Sequence, residues 1–89
     1  MTESEFLALM EEKGFTKTGR SEYASDMDAA MHSHDFAFEA LVLEGQFVLS
    51  TEAGSTAIGP GETWSLEAGV QHAEKVIGST PVKFVYGLP

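Results

Sequence analysis

Three side chains in this chain of 89 residues can offer an imidazole nitrogen to a transition metal: His32, His34 and His72. The chain contains no cysteine, which excludes thiolate sites and disulfides alike. His32 and His34 lie in the stretch MHSHDFAFE, residues 31–39, which ends in an acid, Glu39. Residues two apart on a strand project from the same face. His-x-His on a strand therefore presents two imidazoles side by side, as two neighbouring positions of one coordination sphere require. His72 follows the Gly69 turn and opens another candidate strand; in a barrel, a ligand there can face the His32/His34 strand across the interior. Glu74, two residues on, shares the strand face of His72. It is a candidate fourth ligand or an acceptor that orients an imidazole; a solvated acid is the ordinary alternative. Other chemistries find no support. There is no Gly-x-Ser-x-Gly elbow, Ser33 and Ser65 have no triad context, and Gly59-Pro60-Gly61 lacks the Lys-Ser/Thr tail of a phosphate-binding loop.

The elements that must position these residues can be read from patterning. Thr2 with Glu5 fits a capping box, Phe6, Leu7, Leu9 and Met10 form an apolar stripe at helical spacing, and Gly14 is a natural stop. Residues 2–14 are thus expected to form a short helix, covering an open end or edge of a sheet or serving as a dimer arm. From residue 16 the texture changes to short β-branched and aromatic runs divided by glycine and proline. Candidate strands are 20–25, 28–34, 38–44, 46–51, 55–58, 62–67, 71–77 and 81–87. Many short strands at regular spacing indicate an all-β sandwich or barrel. The domain reading is a single one over 1–89, with the helix at 2–14 and a β-barrel at 16–89.

Bulk composition narrows the partners. Fourteen acids against five bases leave a formal charge of −9. The bases (Lys13, Lys17, Arg20, Lys75, Lys83) are scattered, so neither nucleic acid nor an anionic membrane is an expected partner. No apolar run reaches the length of a membrane span, and the acidic N-terminus lacks a signal-peptide pattern. A cytoplasmic protein is the expectation. A chain this short has a thin stability margin, which a bound metal or a partner subunit would supplement.

The two halves of the histidine pattern together resemble the cupin superfamily. His32-x-His34, Glu39 and LVLEGQ resemble its first motif. Gly61, ETWSLEAGVQ and His72 resemble its second, with Gly69 and His72 at the expected offsets. The motifs span residues 32–76, about half the chain. The resemblance implies a double-stranded β-helix, or jelly roll, and one divalent metal (Zn, Fe, Mn, Ni, Co or Cu) held by His32, His34 and His72 with an acidic fourth ligand. It also implies frequent homodimerisation through sheet edges. The chain departs from the family pattern at Glu67, where proline is usual, and at Val76, where asparagine is usual; both positions shape loops. The stretch between Gly45 and Gly61 is near the short end for the superfamily.

Glu39 is ambiguous. Counted from His34, it sits where the family's glutamate ligand belongs; counted back from Gly45, Phe38 takes that place. A period of two makes this a choice of faces. Either Glu39, Leu41 and Leu43 point inward, or Phe38, Ala40, Val42 and Glu44 do, with Glu44 at the rim. In the second case the site is three histidines plus water. Trp64, Phe36, Phe38, Phe47, Phe84 and Tyr86 read first as barrel filling, with Trp64 also a possible pocket wall and Tyr86 carrying a hydroxyl that can reach a ligand. Met27 and Met31 read as gap-filling core. Gln46 either points into the barrel mouth or faces solvent.

A metal with an open position can polarise a substrate oxygen or activate water. The functional expectation is a divalent-metal-dependent enzyme of the dioxygenase or isomerase type acting on a small polar molecule. The alternatives are a non-enzymatic small-ligand-binding or regulatory module, and a metal that serves stability alone. The fold does not choose among them.

Overall fold

A computed structural model describes all 89 residues, Met1–Pro89. One helix, α1 (Glu3–Lys13), precedes eight strands: β1 (Lys17–Tyr23), β2 (Asp28–His32), β3 (Phe38–Glu44), β4 (Phe47–Thr51), β5 (Gly54–Ile58), β6 (Thr63–Leu66), β7 (His72–Val76) and β8 (Val82–Leu88). The strands form two four-stranded sheets, ordered β1-β8-β3-β6 (sheet A) and β2-β7-β4-β5 (sheet B). Every strand pairing is antiparallel. This alternation of successive strand pairs between two sheets is the jelly-roll path expected from the sequence. No helix is long and apolar enough to cross a membrane.

Strand alternation sorts the side chains into an interior and an outer layer. Ala40, Val42, Phe47, Ile58, Trp64, Leu66, Val76, Val82 and Phe84 form the interior core between the sheets. Its centre is aromatic: Trp64 meets Phe47 at 4.8 Å and Phe84 at 5.3 Å between ring centroids, both edge-on. That arrangement adds to the area these rings bury. A smaller cluster of Phe6, Met10, Leu41 and Val85 lies on the opposite side of sheet A. There α1 lays Phe6 and Met10 on the outer surfaces of β3 and β8. The helix thus covers a sheet face, where the sequence suggested an end or an edge. Leu7, assigned to the same stripe, is exposed.

The ends of α1 behave as the sequence predicts. Thr2 accepts from the Glu5 N–H at 3.2 Å, and the Glu5 carboxylate accepts from the Thr2 N–H at 2.8 Å, a closed capping box worth on the order of 1 kcal/mol. These hydrogen bonds hold the Glu5 carboxyl below its ordinary range. Gly14 adopts φ 80° at the C-cap, a left-handed conformation that costs a side-chain-bearing residue energy. A close approach fixes a second glycine: at Gly87 a Cβ would lie 2.7 Å from Met10 Sδ, so its absence lets the helix settle onto β8.

Strand limits differ from expectation mainly in β1, which begins at Lys17 because its whole length pairs with β8 from Lys17↔Leu88 to Tyr23↔Val82. The β4–β5 hairpin closes at Thr51↔Gly54, as the glycine there suggests. β2 stops at His32 after a register shift that follows Ala29, so His34 lies beyond the strand to which the sequence assigned it.

Candidate metal centre

His32 and His72 are register partners on adjacent strands of sheet B. They stand side by side in one sheet, and the expected approach across the barrel interior is corrected accordingly. Their ring centroids are 4.3 Å apart. His34 joins them from the loop after β2, with centroids 5.1 Å from His32 and 5.0 Å from His72. A backbone hydrogen bond from the Gly69 N–H to the His34 carbonyl, at 2.7 Å, pins that loop to the turn before β7. Gly69 therefore serves the site by holding two histidine-bearing segments together. One nitrogen from each ring lies within 4.8 Å of the others, a spacing that can hold a metal ion.

Two of the rings have their tautomers set by backbone. His72 Nδ1 lies 2.9 Å from the Val70 carbonyl oxygen, and His32 Nδ1 lies 2.7 Å from that of Ala30. A carbonyl only accepts, so Nδ1 carries the hydrogen in each and Nε2 of the neutral ring is left with a bare lone pair. Imidazoles oriented in this way by an outer hydrogen bond are characteristic of metal ligands. His72 is almost wholly buried, at 1%, while the His32 side chain keeps 35% of its surface in solvent. Partial burial, followed by the charges of His72 and His32, holds the His34 ring below its ordinary value; Glu74 and Asp35 act in the opposite sense. A depressed value favours the neutral ring, the form that binds metal.

The carboxylate is not the one the first motif suggests. Glu39 points outward from β3, on the side of Leu41 and α1, and its Oε1 accepts from Lys13 Nζ at 2.8 Å. Phe38 takes the inward position, with its ring 6.2 Å from that of His34, and Glu44 lies exposed at the rim beside Lys83. The reading of Glu39 as a ligand is thereby corrected. What excludes it is the outer layer: a strand whose even positions fill the barrel must offer its odd positions to the helix. Glu74 instead faces inward with His72 and Val76 and is 5% exposed. Its Oε1 lies 3.0 Å from His72 Nε2 and 3.3 Å from His32 Nε2.

The remaining candidates divide clearly. Trp64 is core, against Phe38, Phe47 and Phe84, and its indole N–H is buried without a partner. Gln46 is exposed and precedes β4 at the end opposite the His72↔Thr51 pair, so it does not line the histidine cluster. Tyr86 lies over Gly19 of β1, where a Cβ would come within 2.7 Å of its hydroxyl. Phe36, expected to fill the barrel, is instead exposed and stacks on His34 with centroids 5.0 Å apart and planes 21° apart. Met31 is likewise exposed, whereas Met27 packs on the core as expected. Sequence reasoning missed Tyr23, whose hydroxyl lies close to the Glu74 carboxylate; burial first, and then that carboxylate, push its phenol upward. The signal for Tyr23 was weak, a lone tyrosine at a strand end.

No family model matches the chain, and no curated protein matches its sequence. Solved structures do resemble it. A DUF861 family protein from Thermotoga maritima superposes with a TM-score of 0.71 at 23% identity, over 92% of this chain and 90% of that one. A cupin-2 domain containing protein from Shewanella frigidimarina gives 0.65 at 18% identity, over 81% and 68%. The polyketide cyclase RemF from Streptomyces resistomycificus gives 0.69 at 23% identity, over 81% of this chain and 52% of that one, so the chain spans about half of that enzyme. At these identities the likeness establishes the fold.

Proposed function

We propose that this chain, a small cupin by fold, is a mononuclear divalent-metal protein in which His32, His34 and His72 hold the metal and a small polar molecule reaches it through an oxygen atom. The observation that carries the reading is the convergence of three imidazoles, two of them with Nδ1–H committed to backbone carbonyls and Nε2 left bare. The residues fit a metal on a further ground. His72 Nε2 and Glu74 Oε1 are buried and lack hydrogen-bond partners, and a buried polar atom left unpaired costs about 1–3 kcal/mol. A cation between them would remove that cost. When bound, such a metal supplies Lewis acidity toward a coordinated oxygen.

The chain's own residues define how a ligand enters. Phe38, Phe47, Trp64 and Phe84 fill the interior, so the approach is from the rim, where His32 is part-exposed and Phe36 forms an apolar wall against His34. An enzyme of the dioxygenase or isomerase type fits this arrangement. A purely structural metal is the second reading, favoured by the same unpaired buried atoms and by a hydrophobic core of only 13 buried residues.

The test is metal analysis and calorimetric titration of protein purified without a histidine tag. A single divalent ion per chain is expected, with binding lost in His72→Ala; wild-type protein that takes up no stoichiometric metal refutes the reading. The structural role is separated by unfolding. A His72→Ala variant that loses metal yet keeps wild-type stability removes it, and turnover of an oxygen-bearing substrate by the metal-loaded protein establishes the enzyme.

A further inference from the structure

We propose that Glu74, and not Glu39, supplies the carboxylate ligand of the metal site, and that Tyr23 positions it. The inference rests on the metal reading above and adds to it a ligand from β7 in place of one from β3.

Strand geometry provides the first support. His72, Glu74 and Val76 are the inward residues of β7, with Ala73 and Lys75 turned away, so the backbone delivers an imidazole and a carboxylate to the interior one pleat apart. His32 is the register partner of His72, which puts its Nε2 beside the same carboxylate oxygen.

The second support is a convergence of ligand atoms. Glu74 Oε1 lies 3.0 Å from His72 Nε2 and 3.3 Å from His32 Nε2. With both Nδ1 atoms turned to backbone carbonyls, each ring presents its Nε2 to the same carboxylate oxygen. No lysine or arginine pairs with Glu74. Lys13 is engaged with Glu39, Arg20 with Glu3 and Lys83 with Glu44, while Lys75 leaves β7 on the opposite face and is exposed. The contact distances have a direct meaning for a shared cation: two nitrogen or oxygen ligands each about 2.0–2.1 Å from one ion, at right or tetrahedral angles, are themselves about 2.9–3.4 Å apart. The two observed separations fall in that range.

The third support is Tyr23. It ends β1, with its ring packed on Phe84 at 4.7 Å and Phe47 at 5.6 Å, and its hydroxyl lies close to the Glu74 carboxylate. Hydrogen bonding to a ligating carboxylate is the usual way an outer side chain fixes its orientation. The phenol is held by aromatic packing on two sides, which places its hydroxyl to orient Glu74.

The decisive experiment compares wild type, Glu74→Gln, Tyr23→Phe and Glu39→Gln, each titrated with Zn²⁺ and with Co²⁺ as a spectroscopic probe. Glu74→Gln is expected to lower affinity by at least about 10–100-fold, the range reached when even an outer partner of a ligand is lost, and Tyr23→Phe by about 10-fold. The Co²⁺ absorption bands of Glu74→Gln should shift with the changed ligand set, while Tyr23→Phe and Glu39→Gln keep wild-type band positions and Glu39→Gln keeps wild-type affinity. A second measurement does not depend on any variant folding: on adding Zn²⁺ to wild type, the Glu74 side-chain carboxyl ¹³C resonance should move and that of Glu39 should not. Wild-type affinity and spectrum in Glu74→Gln, or an unmoved Glu74 resonance in the zinc-loaded protein, overturns the assignment while leaving the three-histidine site intact. Absence of metal binding by wild type itself refutes the earlier reading instead.

Discussion

The outer face of sheet A and the histidine end of sheet B each hold one shielded carboxylate, in opposite settings. Under the helix, Glu39 has a lysine 2.8 Å away and apolar neighbours in Phe6, Met10 and Leu41. In the barrel, Glu74 faces two imidazole nitrogens, with the Tyr23 hydroxyl close by. In the first region the lysine engages one carboxylate oxygen and leaves Glu39 Oε2 buried without a partner, under a helix capped at both ends. The second is polar and partly open, and leaves His72 Nε2 and Glu74 Oε1 without hydrogen-bond partners. Stability and chemistry are thus assigned to opposite sides of a molecule whose radius of gyration is only 12.5 Å.

That division can be broken by substitution. The largest effect is expected from Phe6→Ala, which empties a fully buried position between α1 and sheet A. A loss of about 3–5 kcal/mol in urea unfolding is expected, with the metal affinity of the folded fraction unchanged. A parallel fall in affinity would mean that the two regions are coupled.

The next effect has the opposite sign. In the metal-free protein, Glu74→Gln replaces a carboxylate oxygen by an amide that can donate to His72 Nε2. Pairing these two buried atoms should raise stability by about 1–3 kcal/mol, seen as a higher melting temperature in the presence of chelator. Excess zinc should reverse the order, since only wild type retains the carboxylate. A metal-free variant less stable than wild type would show that Glu74 is already satisfied without a cation.

The smallest effect belongs to Lys13→Met. Its side chain is 44% exposed, so screening by solvent limits the Glu39 pair, and about 0.2–1 kcal/mol is expected by chemical denaturation. A larger loss would mean that the Glu39 carboxylate is far less hydrated than its neighbours imply.

Much of this was legible in the chain. The capping box, the Gly14 stop, eight strands and an all-β sandwich or barrel follow from local patterns of polarity, β-branching and glycine, and the jelly roll from the resemblance to the cupin motifs. The three histidines could be paired from spacing and from the two cupin-like motifs. What spacing could not decide was the face of β3. Counting from His34 and from Gly45 gave different answers, because the loop between β2 and β3 and the register shift between Val42 and Glu44 each break a simple period of two. Phe36 was misplaced for a related reason, since an aromatic residue in a polar loop looks the same in sequence whether it fills a core or stacks on a rim histidine.

The sequence by itself determined which residues are able to ligate, cap, turn and pack, because those are properties of side-chain chemistry and of a few neighbours along the chain. Only the tertiary structure decided which carboxylate meets the imidazoles. That choice depends on α1 covering the outer face of β3 and on β2 lying beside β7, contacts between segments far apart in the chain. A pleated strand turns each such contact into an all-or-none choice of face, and here it sends Glu39 to the helix and Glu74 to the histidines.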